Sequence, residues 1–87
     1  YVHCKEVNNP DNAQLLYDQA LEIFIRIQDK KGQMNTLSGI GKLKCAFGDL
    51  KSSLSNYEKS LNLAREIGDK DGEAKILSYF GQLNRKF

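Results

Sequence analysis

The feature that most limits what this chain can become is that it nearly repeats itself after forty residues. Displacing the sequence by that interval, without gaps, lays Tyr17 on Tyr57, Leu21 on Leu61 and Ile27 on Ile67. The same displacement pairs Asp29-Lys30 with Asp69-Lys70, Gly32 with Gly72, Leu37-Ser38 with Leu77-Ser78, Gly41 with Gly81, Leu43 with Leu83 and Phe47 with Phe87. One shift that matches apolar, charged and glycine positions together marks a stacked repeat. Such a unit cannot bury its apolar face alone, so neighbouring units must share one continuous core.

The periodicity makes each unit a pair of helices. Leu50, Leu54, Tyr57, Leu61, Ala64 and Ile67 step by three and four residues, which is one apolar stripe on a helix. Upstream, Ala13, Tyr17, Ala20, Leu21, Phe24 and Ile27 trace the same stripe. Between them, Met34, Leu37, Ile40, Gly41 and Phe47 form another, echoed by Ala74, Leu77, Phe80, Gly81 and Phe87. No window alternates strictly enough for a strand, so an all-α chain is expected.

The punctuation agrees. Asn9 fits an N-cap with Pro10 at the first helical position, where a missing N–H costs nothing. Gly48 can end one helix in the left-handed conformation and Asp49 can cap the next. In "REIGDKDGEAK", Gly68 is a helix stop, Asp69 the following cap, and Asp71 sits in a positively polarised first turn. Gly32 and Gly72 fall inside first turns, where each costs about 1 kcal/mol against Ala, so close approach of a neighbouring helix is expected there. The predicted layout is the tail of a helix over 1–7, then helices over 10–28, 30–47, 50–67 and 70–86. Connections of two to three residues force neighbours to run antiparallel.

Composition narrows the partners. Eighty-seven residues make at most one small domain, with 40% apolar and 28% charged residues, ordinary for a folded chain. A net charge of +2 does not point to nucleic acid or an anionic membrane, and four Tyr, four Phe and no Trp give no base-stacking platform. No apolar run spans a bilayer and no secretion signal opens the chain. It starts at Tyr1 without Met and reads as a piece of something longer. Two cysteines, Cys4 and Cys45, do not make a disulfide framework, so a reducing cytoplasmic setting is expected.

Catalysis and ligation find no support. The one histidine, His3, adjoins Cys4, and adjacent positions on a helix diverge by about 100°, which suits no shared metal. "DKDG" fails as a calcium loop, because from Asp69 the sixth position is Ala74 and the twelfth is Phe80 instead of Gly and Glu. "SGIGKLK" lacks the spacing of a phosphate loop and the third glycine of a dinucleotide motif. No enzyme activity, cofactor or metal is expected.

The spacing of small and aromatic residues resembles the tetratricopeptide repeat, a helix pair with the pattern Leu-Gly-x2-Tyr, then Ala-x3-Phe/Tyr, then a second Ala. Ile40-Gly41 and Phe80-Gly81 stand for the Leu-Gly pair, Gly48-Asp49-Leu50 for the turn, and Tyr57 for the aromatic. Ala13, Tyr17 and Ala20 match the Ala, aromatic and Ala positions of the preceding unit. Departures are Lys44 and Asn84 for the usual Tyr, Ser53 and Ser60 for the two Ala, a missing closing Pro, and a unit longer than the typical ~34 residues. The added length is similar to a long-helix subgroup found in polarity adaptors, receptor-clustering scaffolds and bacterial peptide sensors. A HEAT or armadillo array, with a period of ~40–47, is the second choice.

The resemblance implies antiparallel hairpins stacked as a right-handed α-solenoid. Residues 1–28 would end one repeat, 29–68 complete a second, and 69–87 supply the first helix of a third. It implies a protein-interaction scaffold or adaptor, or alternatively the peptide-sensing domain of a larger regulator. The family's first helices line a concave groove. Carried over, its positions are Asn35, Ser38, Lys42 and Cys45, then Lys75, Ser78, Gln82, Arg85 and Lys86. Their basic bias favours an acidic peptide or free carboxylate, although the same residues fit plain solvated faces. Cys4 takes the place of the usual Tyr and reads as buried filler, too far from Cys45 for a disulfide. An apolar edge on Leu77, Phe80, Leu83 and Phe87 is expected, covered by further repeats or by self-association.

Overall fold

A computed structural model describes residues 10–86, with side chains from 13 to 83. The tail over 1–7, the Asn9 cap, His3, Cys4 and Phe87 lie outside the described residues. Four α-helices follow one another: α1 Pro10–Arg26, α2 Lys30–Ala46, α3 Leu50–Ile67 and α4 Lys70–Lys86. Among the described residues there is no strand. The last two helices have the expected bounds, while α1 and α2 stop short of theirs by two residues and one.

All three connections use one device. Gln28, Gly48 and Gly68 have φ of 60°, 79° and 70°, the left-handed region. In each turn the next residue's N–H reaches back five positions: Asp29 to Phe24 O, Asp49 to Lys44 O, Asp69 to Ala64 O, at 2.9 Å each. That same aspartate then caps the following helix. Its carboxylate accepts the N–H of Gly32 (2.9 Å), Ser52 (3.2 Å) and Gly72 (3.0 Å) respectively. The Ser52 backbone N–H, with its hydroxyl in support, holds the exposed Asp49 carboxyl below its ordinary pKa. Gln28 is the one member not foreseen, because no glycine marks the spot.

Helix α2 is the centre of the stack. Met34, Leu37, Ile40 and Leu43 are buried along it, and Met34 joins Tyr57, Leu61, Ala64, Ile76 and Leu83 in one cluster drawn from α2, α3 and α4. Two buried serines fasten α3 to α2. Ser53 donates its hydroxyl to the Gly41 carbonyl and Ser60 donates to the Met34 carbonyl, both at 2.7 Å. Where the resemblance has alanine, this hairpin has hydrogen bonds worth about 1 kcal/mol each.

The close approaches expected at Gly32 and Gly72 occur, and Gly41 adds a third. A Cβ on Gly32 would meet the Phe24 ring at 2.4 Å, one on Gly41 the Tyr57 ring at 2.5 Å, and one on Gly72 the Met34 thioether at 2.8 Å. These contacts join α1 to α2, α2 to α3 and α2 to α4 in turn. Ion pairs decorate the junctions, with Lys30 against Glu66, Lys31–Asp69 at 3.8 Å and Arg65–Glu73 at 3.1 Å.

The stripe read for the last helix needs correction. On α4 the buried residues are Gly72, Ile76 and Leu83, with Tyr79 and Phe80 half-buried, whereas Ala74, Leu77 and Gly81 are exposed. The reason is that α2 buries two faces, one against the following helix α3 and one against the preceding helix α1, where Gly32 meets the Phe24 ring and Gly39 the Tyr17 ring. Copying its stripe onto α4 copied the face that meets a following helix, and the core-facing one is ~100–140° away. The expected apolar edge is corrected likewise: Leu77 is exposed, but Leu83 is in the core and Phe80 packs on Tyr57.

Candidate partner-binding face

Asn35, Ser38 and Lys42 stand three and four residues apart, so they line one side of α2. Lys75, Ser78 and Gln82 are their repeat equivalents on α4. Five of the six are exposed and Ser38 is half-buried, its hydroxyl donating to the Asn35 carbonyl at 2.9 Å. Cys45 is half-buried and packs against the core cluster, so it borders this face more than it forms it. Arg85 and Lys86 lie on α4, but their side chains fall outside the described residues.

One contact joins the two helical faces. The Lys42 ammonium lies 4.3 Å from the centre of the Tyr79 ring. That ring in turn stacks on Tyr57, centroids 5.5 Å apart and planes inclined by 30°. An exposed cation–π contact of this kind is worth about 0.5–1 kcal/mol, enough to bias where Lys42 points without neutralising its charge. Tyr79 was missed by the sequence reading. It falls one repeat after Gly39, against whose backbone the Tyr17 ring rests, a Cβ there lying 2.8 Å from the ring, a relation that only the packing reveals.

Electrostatics separate this face from the junctions. Lys30, Lys31, Arg65 and Lys70 each meet a carboxylate. Among the described residues, Lys42 and Lys75 form no ion pair and remain exposed. The face therefore presents two positive charges, an aromatic edge and several neutral hydrogen-bonding groups. No group of three or more His, Cys, Asp or Glu side chains able to hold a metal occurs among the described residues. No helix described is long and apolar enough to cross a membrane.

The geometry is that of helical hairpins whose first helices share a polar face. A comparison with family models matches residues 2–66 to the tetratricopeptide repeat. No curated protein and no solved structure matches the chain. With that match over most of its length, and with four helices joined by tight turns in the expected order, the chain belongs to the tetratricopeptide repeat family.

Proposed function

We propose that the chain is a scaffold or adaptor module that holds a short acidic peptide segment, or the acidic face of a helix, across Asn35, Ser38, Lys42, Lys75, Ser78 and Gln82. Repeats of this family mediate protein–protein interaction, and the finer reading rests on one observation: Lys42 and Lys75 sit unpaired on adjacent helices, with Tyr79 beside the first. Arg85 and Lys86 would extend the basic run. The forty-residue period supports placing the chain in the long-helix subgroup, with 29–68 as its complete repeat.

The mechanism is capture by a pre-formed surface. Lys75 is the repeat equivalent of Asn35, seven residues or about 10 Å along the helix from the level of Lys42, and neighbouring helices stand about 8–10 Å apart. Lys42 and Lys75 are thus spaced for carboxylates a few residues apart on a bound segment. Their ammonium groups would form charge-assisted hydrogen bonds while Asn35 and Gln82 pair with peptide groups. Because the helices are already ordered, the receptor loses little entropy on binding.

The test is a fluorescence titration with Asp/Glu-rich and charge-neutral peptides of equal length. Lys42→Glu plus Lys75→Glu should weaken the acidic set by more than about tenfold, equivalent to about 1.4 kcal/mol, and leave the neutral set unchanged. Equal affinity of wild type and double variant for the acidic set would remove the proposal.

A further inference from the structure

An aromatic ring lies between the two lysines of the polar face. Tyr79 follows Lys75 by four residues, one turn along α4, and the Lys42 ammonium reaches it from α2. Lys42 is the repeat equivalent of Gln82. Along the groove the order is therefore Lys75, Tyr79, Lys42, in steps of about 6 Å and about 5 Å.

The surroundings of that ring come from inside the stack. Tyr57, 3% exposed, stacks on it from the core. Lys42, itself exposed, lies over it from the groove, and Tyr79 remains only half-buried. A lysine is a loose cover. At an exposed site the ring holds the ammonium over the open position by about twofold to fivefold, and a carboxylate competes for the same ammonium with a stronger, charge-assisted hydrogen bond. When the carboxylate wins, the ring is uncovered.

We propose that Tyr79 is a specificity-determining residue of this face: it seats a large apolar side chain of the bound segment, and Lys42 covers that seat in the free protein. The proposal rests on the acidic-segment reading above and narrows it to an extended chain. Lys42 and Lys75 are about 10 Å apart along the groove and about 8–10 Å across it, about 13–14 Å in all. Four residues of extended chain span that distance, and alternate side chains share one face. The residue midway between the two acids thus points at the ring, and the recognised pattern is acidic, any, apolar, any, acidic. The two recognitions are coupled. Acids without the apolar residue draw Lys42 away and leave the ring to water, while an apolar residue without acids meets a ring still covered.

The test is a fluorescence titration with four labelled peptides of equal length, centred on Glu-Gly-Phe-Gly-Glu, Glu-Gly-Ala-Gly-Glu and the same two with Gln for Glu. For the wild type, Phe in place of Ala should raise affinity about fivefold in the Glu pair and less than about twofold in the Gln pair. Lys42→Ala removes the cover at an exposed position and should leave the helical melt unchanged. It should bind the Glu peptides more weakly than the wild type does, yet the Gln-Phe peptide more tightly. In NMR spectra the Lys42 ε-methylene protons should lie upfield in the free protein, move downfield with the Glu-Phe peptide, and give way to NOEs between the peptide ring and Tyr79. A Phe gain equal in both pairs, or a Lys42→Ala variant with unchanged affinity for the Gln-Phe peptide, would overturn the proposal. A preference for Glu that survives without any Phe gain removes the ring seat alone, whereas loss of the Glu preference removes the acidic reading with it.

Discussion

Helices α2 and α4 are one repeat apart and share Gly32/Gly72, Leu37/Leu77, Gly41/Gly81 and Leu43/Leu83, yet the middle two pairs have different surroundings. In α2, Leu37 and Gly41 are buried and the glycine admits an aromatic ring; in α4, Leu77 and Gly81 are exposed. Leu43 and Leu83, by contrast, are buried in both, at 2% and 5% exposure. The difference teaches that in a stack a residue's energetic weight belongs to the pair of neighbouring helices it separates. Identical residues are equivalent only where both neighbours are supplied.

That comparison can be broken directly. Leu37→Ala should destabilise the fold by about 2–4 kcal/mol, and Leu77→Ala by no more than about 0.5 kcal/mol. Urea melts would decide it, and equal losses at the two sites would show that α4 is as enclosed as α2. The glycine pair is smaller in effect but opposite in sign. Gly41→Ala forces a methyl against Tyr57, itself backed by Tyr79 and Phe80, and should cost about 1–3 kcal/mol. Gly81→Ala meets open space and should gain up to about 1 kcal/mol of helix propensity. Two losses, or two gains, would sink the account of these glycines.

The smallest expected effect sharpens the comparison at the turns leading into the two helices. Gly68 takes the left-handed conformation before α4 at no steric cost, while Gln28 takes it before α2 with a side chain in the way. Gln28→Gly should therefore raise stability by about 0.5–1 kcal/mol in thermal melts, with the helical signal unchanged. A loss would indicate that the glutamine side chain is held in place by something that outweighs the backbone strain.

What could be read in the letters divides along the same line. The repeat, the two helices per unit, the Asp49 and Asp69 caps and the left-handed Gly48 and Gly68 were all legible, because each depends on a few adjacent residues. Gln28 was not: the turn is imposed by the packing on either side and overrides the residue's own preference. The buried face of α4 was misread because repeat matching transfers a pattern without transferring its neighbours, so Ile76 was passed over and Leu83 was placed on the open edge with Leu77, which is exposed as expected. For the partner-binding face, the family resemblance supplied Asn35, Ser38 and Lys42, and their spacing of three and four residues agrees with one side of a helix. The Lys42–Tyr79 contact depends on the approach of two helices thirty-seven positions apart in the chain, which no local pattern encodes.

The two serine hydroxyls of the central hairpin have a mechanical consequence. Alanines such as Ala13 and Ala20 let one rod glide along another with little change in contact, since a methyl group is satisfied by any smooth surface. Ser53 and Ser60 grip two particular oxygens spaced seven residues apart on the opposing rod, so a slip by even one position would strand both hydroxyls in a dry environment. The joint behaves as a ratchet with two teeth. Under a pull along the array, the outer rods should creep before the middle pair yields.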